Sequence, residues 1–258
     1  MKRVTLFGLP FIAAKNHDGV VEEVLAWPLK KEHPQELPLL STPNVDQVVK
    51  LHRKEHAELL GHIARARFVL PDGQPIVWVG NRKKGCELPA RLAGSDLFPA
   101  VWNKLAARKS PIFMVLANDA IGEALRKENP EMHWLTPPFY SIADPKAEQQ
   151  VVDAVFDALI ARPVPLVFLG LGFPKQERLA LALIEKLKAV AAPMPLFLLL
   201  GASYEFHAGL KKRAPMIFQK LGLEFFHRFL SEPKRMFRRY FVDDMVFFKL
   251  ALKELRSR

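Results

Sequence analysis

A single cysteine, Cys86, stands in 258 residues, so the chain can form no intrachain disulfide and no metal centre built from several thiolates. That sparing use fits a reducing, cytoplasmic compartment. Acids are also in short supply. Only 27 Asp+Glu face 38 Lys+Arg, leaving a net charge of +11. Such an excess points to an anionic partner: nucleic acid, a membrane face or a phosphorylated small molecule. Long hydrophobic runs are missing too. The richest stretch, 189–202, is interrupted by Pro193 and Pro195 and falls short of the ~20 residues a spanning helix needs. The N-terminal MKRVTLFGLPF starts like a secretion signal, but its apolar part is too short and lacks a cleavage pattern. If this chain meets a membrane, it is expected to lie on it. Repeats, low-complexity segments and a G-x-x-x-x-G-K-[ST] phosphate loop are likewise absent.

What is present is a globular composition, 50% hydrophobic and 25% charged, in a chain long enough to bury a full core. Short apolar runs alternate with helical patterns. Strands are expected at Val4–Phe7, Leu37–Ser41, Arg67–Leu70, Pro111–Ala117, Pro165–Gly170 and Pro195–Gly201. Helices are expected near Asn44–Ile63, Ser95–Arg108, Ala120–Glu128, Pro145–Ile160, Lys175–Val190 and Pro233–Leu255. This order argues for a Rossmann-like, doubly wound α/β fold whose mostly parallel sheet carries helices on both faces. The runs PLVFLG and PLFLLLG show no alternation, as befits strands buried on both sides. The alternation stops near Gly222, which divides the chain into an α/β domain, 1–221, and a basic, Phe-rich helical appendage, 222–258.

In open α/β sheets ligands bind beyond the carboxyl ends of the strands, so the chemistry is sought there. Thr42-Pro43-Asn44 follows the second expected strand; it reads equally as a helix cap and as a pair of ligand contacts, Thr42 and Asn44. Pro71-Asp72-Gly73 follows the third. It is an ordinary turn signature, yet it also sets the Asp72 carboxylate at a strand tip, where a general base would stand. The segment Gly170-Leu171-Gly172-Phe173-Pro174-Lys175-Gln176 leads from a buried strand into a helix. Gly170 and Gly172 would allow close backbone approach, and the helix start with Lys175 would suit a diphosphate. The third glycine of a dinucleotide fingerprint is missing, so no nucleotide cofactor is expected. Gly201-Ala202-Ser203-Tyr204-Glu205 ends a further strand and would wall the same cleft, unless it is a plain turn.

The C-terminal region mixes charge with rings. Between Lys211 and Arg239 lie nine Lys/Arg and two acids, Glu224 and Glu232, interleaved with Phe225, Phe226, Phe229 and Phe237. Arg228, Arg235, Arg238 and Arg239 would share one side of a continuous helix, although Ser231-Glu232-Pro233 marks a break. A charge run of this kind is often only a solvated face. Its aromatic neighbours favour contact with anionic lipid.

Taken together these segments resemble the WecG/TagA/CpsF family of bacterial glycosyltransferases, glycosyltransferase family 26. The resemblance rests on STPNVDQVV, LPDG, RLAGSDL, LGLGFPKQE, AGLKKRAP and QKLGLEFFHRFLSEPKRMFRRY, in that order. It implies a metal-independent, inverting transfer from a UDP-sugar to a saccharide carried on a polyprenyl diphosphate, at the inner face of the cell membrane. By the same resemblance Asp72 is the base, Thr42 and Asn44 place substrate, Gln176 contacts donor or acceptor, and Arg228, Arg235 and Arg238 hold diphosphate. Gly170, Gly172, Lys175 and Gly201 complete the expected substrate-binding set. The chain departs from the family at Glu205, where members usually carry Asp; a longer side chain puts a donor contact there in question. N-acetylmannosamine, N-acetylmannosaminuronate, glucose and glucuronate all remain open as the transferred sugar, and homo-oligomerisation is open as well.

Two rival readings stand beside this one. The +11 charge and the Arg/Phe interleaving would serve single-stranded nucleic acid, though no nucleic-acid motif accompanies them and no such partner is expected. His52-Arg53-Lys54-Glu55-His56 matches the H-x-x-E-H pattern of a zinc hydrolase, but a third ligand is not evident and no metal is expected.

Overall fold

The computed structural model describes residues 1–27, 36–211 and 245–256. An antiparallel hairpin, β1 (Arg3–Leu6) and β2 (Leu9–Ile12), leads into α1 (Asp18–Leu25). The body then alternates: β3 (Leu37–Ser41), α2 (Val45–Leu51), α3 (Ala57–Ile63), β4 (Ala66–Val69), α4 (Gln74–Arg82) and α5 (Gly94–Ala107). It continues through β5 (Ile112–Val115), α6 (Asp119–Arg126), β6 (Met132–Leu135), α7 (Pro145–Ala161), β7 (Leu166–Leu169), α8 (Lys175–Ala189), β8 (Leu196–Leu199) and α9 (Ser203–His207). A last helix, α10 (Met245–Arg256), closes the described chain.

Six strands form one parallel sheet in the order β4-β3-β8-β7-β5-β6. Its central strands read LVFL and LFLL and are buried at every position. Apolar residues can run without interruption there because both faces are covered. Alternate side chains feed two separate cores. Val167, Leu169, Phe197 and Leu199 pack with α2, α3, α4, α7, α8 and α10. Leu166, Phe168, Leu196 and Leu198 pack with α1, α5, α6 and α9. The fold is therefore the expected doubly wound α/β architecture.

Three differences from the sequence-based reading have physical causes. The helix expected over Asn44–Ile63 is split: α2 ends at His52, Arg53 is extended (φ −74, ψ 147), and a single 3₁₀ turn, Lys54–His56, precedes α3. Carried through the break, the buried face would present His52 and Glu55 between Val48 and Leu59, leaving nothing apolar to bury. Second, β2, β6, α1, α4 and α9 were not anticipated. β6, reading MHWL at the sheet edge, keeps only its first residue buried, so it lacks the apolar signature of its neighbours. Third, the expected boundary at Gly222 and most of the expected helix Pro233–Leu255 lie outside the described residues. Where the described chain resumes, α10 is docked on the α/β body. Phe247 meets Phe7 at 5.4 Å between ring centroids, and Lys83 pairs with Glu254 at 2.5 Å. Among the described residues no helix is long and apolar enough to cross a membrane.

Candidate active site

The tips of β3 and β4 are laced together. The Leu70 N–H donates to the Ser41 carbonyl at 2.9 Å and the Asp72 N–H to the Pro43 carbonyl at 3.2 Å. This brings Thr42 and Asp72, thirty residues apart in sequence, onto one ledge. Asp72 is half-buried, not entombed. Its Oδ2 accepts the Gly94 N–H at 3.3 Å, so the carboxylate sits against the N-terminus of α5, the positive end of a 14-residue helix.

Gly94 is the point on which the ledge converges. A Cβ there would stand 2.9 Å from Thr42 Oγ1, 3.3 Å from Leu200 and 3.4 Å from Ser203 Oγ. Two nearly buried hydroxyls and a carboxylate thus gather where β3, β4, β8 and α5 meet. A carboxylate placed this way can take a proton from a hydroxyl held against it. Ser203, whose Oγ donates to the Leu200 carbonyl at 2.7 Å, and Gly94 were not among the expected site residues. The glycine preceding Ser-Asp in RLAGSDL was the available signal for Gly94: a residue without Cβ at a helix start beside a strand tip. His17 also reaches this helix start, with Nε2 3.1 Å from the Ala93 carbonyl, and burial lowers its pKa from the ordinary 6.5.

Asn44 has a structural duty. Its Oδ1 accepts the Gln47 N–H and Gln47 Oε1 accepts the Asn44 N–H, both at 3.1 Å, a reciprocal cap on α2. Gly201 adopts φ +55 with open space beyond its Cα. Glu205 lies in α9 and pairs with Lys211 at 3.4 Å.

At the β7 tip the expected site residues make contacts within the chain. Gly170 makes room for a ring: a Cβ there would lie 2.9 Å from Tyr204, whose hydroxyl donates to the Leu198 and Leu169 carbonyls at 3.2 and 3.3 Å. Gly172 does need glycine's freedom, with φ +72. Lys175 does not stand over the start of α8. Its Nζ donates to the Tyr140 carbonyl and lies 4.4 Å from the Tyr140 ring centroid and 4.7 Å from that of Phe139. A carbonyl and two ring faces already satisfy the ammonium, which ties the β6–α7 loop to α8. Gln176 and Glu177 follow it into the interior, 1% and 2% exposed. Gln176 Nε2 donates to Glu177 Oε1 at 3.0 Å. Burial pushes the Glu177 carboxyl up to about 7, against the opposing hydrogen bonds from Gln176 and from its own backbone and the weaker pull of the Lys50 ammonium on α2.

The two histidines of the H-x-x-E-H segment do not share a helix face. His52 Nδ1 is engaged with the Val48 carbonyl at 2.8 Å, while the His56 ring stands edge-on to Phe173 at 5.1 Å. No group of three potential metal ligands occurs among the described residues. Arg228, Arg235 and Arg238 lie outside the described residues.

A sequence profile of the glycosyl transferase WecG/TagA/CpsF family matches residues 4–258. The chain belongs to this family. It is also similar to an N-acetylglucosaminyldiphosphoundecaprenol N-acetyl-beta-D-mannosaminyltransferase from Bacillus spizizenii, with 30% identity over 174 residues. That match covers 67% of this chain and 64% of the length of the relative. The matched residues span the α/β body and the C-terminal segment alike.

Proposed function

We propose that the protein transfers a sugar from a UDP-sugar to a saccharide on a polyprenyl diphosphate, with inversion and without a metal. The observation that carries this reading is the half-buried Asp72 carboxylate at a strand tip, flanked by Thr42, Gly94 and Ser203, in a chain of the WecG/TagA/CpsF family. Asp72 takes the proton of the acceptor hydroxyl as that oxygen attacks the anomeric carbon. The bond from that carbon to UDP breaks, UDP leaves with the electron pair, and the configuration inverts. Arg228, Arg235 and Arg238 are assigned to the diphosphate, since a guanidinium donates two parallel hydrogen bonds to phosphate oxygens. Thr42 and Ser203 orient substrate beside the base. Gly172, Gly201 and Gln176 contribute further contacts, and Lys175 acts through the loop it holds.

The acceptor class follows the activity of the Bacillus spizizenii relative, an N-acetylglucosaminyldiphosphoundecaprenol N-acetyl-beta-D-mannosaminyltransferase. N-acetylmannosamine is the first donor to test for the same reason. A place at the inner face of the membrane, in cell-surface polysaccharide assembly, suits such an acceptor. The described end of the tail supports it: α10 exposes Phe248, Leu252 and Leu255. Lys249, Leu252, Lys253 and Arg256 line an open concavity of about 550 Å³ there. Cationic and apolar groups together favour an anionic lipid surface.

The test is a panel of UDP-sugars against lipid-diphosphate acceptors, with wild type and Asp72→Asn side by side. Transfer that needs both substrates and collapses in the variant supports the reading. Transfer unchanged in Asp72→Asn removes the base assignment. Tight, salt-sensitive binding to oligonucleotides without binding to anionic liposomes would favour the nucleic-acid alternative instead.

A further inference from the structure

Where α8 leaves the β7 tip, the chain buries two adjacent polar side chains and leaves each with an unmatched atom. Gln176 and Glu177 are 1% and 2% exposed, and Gln176 Oε1 and Glu177 Oε2 have no hydrogen-bond partner. A buried polar atom without a partner costs about 1–3 kcal/mol, and apolar side chains of similar size would avoid it. The surroundings are otherwise well matched. The Gln176 N–H reaches the Gly172 carbonyl at 3.1 Å, and the flanking Leu179, Ala180 and Leu183 belong to the core. Among the described residues the other unmatched buried atom, Arg67 Nε, lies apart in β4; two adjacent unmatched side chains at a strand tip are what a waiting contact looks like.

The bond between the two side chains sets the polarity of the pair. Gln176 Nε2 is held by Glu177 Oε1 at 3.0 Å, so the carboxamide is turned with its NH₂ toward Glu177 and its oxygen the other way. The unmatched atom of Gln176 is thus the acceptor Oε1, which cannot pair with a phosphate oxygen.

We propose that Glu177 is a positioning residue: it locks the Gln176 carboxamide so that Oε1 receives a hydrogen-bond donor of the substrate, a sugar hydroxyl or the imide N–H of uracil, and not the diphosphate. The inference rests on the glycosyltransferase reading and deepens it. It adds a residue with no direct substrate contact and gives the expected Gln176 contact a direction.

The experiment compares wild type, Glu177→Leu, Glu177→Gln and Gln176→Ala by steady-state transfer and thermal melting. Inhibition by UDP and by inorganic pyrophosphate is measured in parallel. Glu177→Leu should melt at or above wild type, yet raise KM for one substrate about tenfold, as expected for one misdirected hydrogen bond of about 1.4 kcal/mol. Glu177→Gln, whose own carboxamide oxygen can still accept, should restore most of that loss. Weaker inhibition by UDP in Glu177→Leu locates the donor group on the nucleotide. Unchanged UDP inhibition with a raised UDP-sugar KM locates it on the transferred sugar, and a raised acceptor KM alone locates it on the acceptor. The proposal is overturned if Glu177→Leu keeps wild-type KM values, or if pyrophosphate is the only probe whose inhibition weakens. If Glu177→Leu does not fold, Glu177→Gln must match wild type in KM while Gln176→Ala does not; equal KM values in all three overturn the proposal. Wild type that transfers from no UDP-sugar removes the glycosyltransferase reading and this inference with it.

Discussion

Two strand tips in this molecule look alike in sequence and behave differently in space. At the β4 tip, Asp72 is half-buried and accepts the Gly94 N–H at 3.3 Å, beside the hydroxyls of Thr42 and Ser203. At the β7 tip, Lys175 is drawn to the β6–α7 loop, and Gln176 and Glu177 are buried, each with one unmatched atom. The first tip keeps its polar group at the surface and feeds it a helix N-terminus. The second commits its charge to packing and hides its polar pair. Glycine plus a charged residue at a strand end therefore leaves the direction of the charge open. What lies over the glycine decides: the Tyr204 ring stands where a Cβ of Gly170 would go.

The sharpest way to break the contrast is to neutralise each side in turn. Asp72→Asn preserves shape and removes the base, so kcat should fall by roughly 10²–10⁴ while the melting temperature holds. If this variant transfers sugar at the wild-type rate, the β4 tip is no more chemical than the β7 tip.

Glu177 gives the next largest effect, in stability. Its carboxyl has a pKa of about 7 in the folded chain against 4.5 for the free group. Below pH 4.5 both folded and unfolded chains hold the proton. As pH rises from there toward 7 the unfolded chain releases it first, so unfolding is favoured. Relative to Glu177→Gln, wild type should lose about 3 kcal/mol between pH 4 and pH 8, read by urea melts. Parallel pH curves for the two proteins would mean the carboxyl is not held neutral by burial.

How much of this was readable beforehand follows from what each residue leans on. β7, β8 and Asp72 were legible because continuous apolar runs and a Pro-Asp-Gly turn are local signals. The helix break at Arg53 was not, since it depends on what α2 and α3 must bury rather than on any breaker residue. Gly94 and Ser203 escaped because their role exists only when β3, β4 and β8 are side by side. The direction of Lys175 escaped for the same reason: Phe139 and Tyr140 lie about thirty-five residues upstream and meet it only across the sheet edge.

Gly94→Ala probes the ledge from below. The added methyl would fall 2.9 Å from Thr42 Oγ1, closer than real Cβ contacts come, so Thr42 or the start of α5 must shift. Overpacking of this order costs about 1–3 kcal/mol. Moving the N–H that holds Asp72 should also lower kcat about tenfold, since a small displacement of a base is felt in rate. A variant that is destabilised but turns over at the wild-type kcat would make Gly94 a packing residue alone.

The smallest effect is expected at Lys175, and it distinguishes the two tips most cleanly. Replacing it with Met keeps the length of the side chain and removes a charge satisfied by the Tyr140 carbonyl and two rings. The loss of cation–π attraction at this partly exposed site is worth about 0.5–1 kcal/mol of stability. If the ammonium serves the loop, KM for the UDP-sugar should change by less than about threefold, and inhibition by pyrophosphate should be unaltered, since no charge-assisted bond to phosphate is lost. A Lys175→Met variant whose pyrophosphate inhibition weakens tenfold would mean that the lysine swings from the loop to the ligand during binding, and the β7 tip would then be a phosphate site in the bound state.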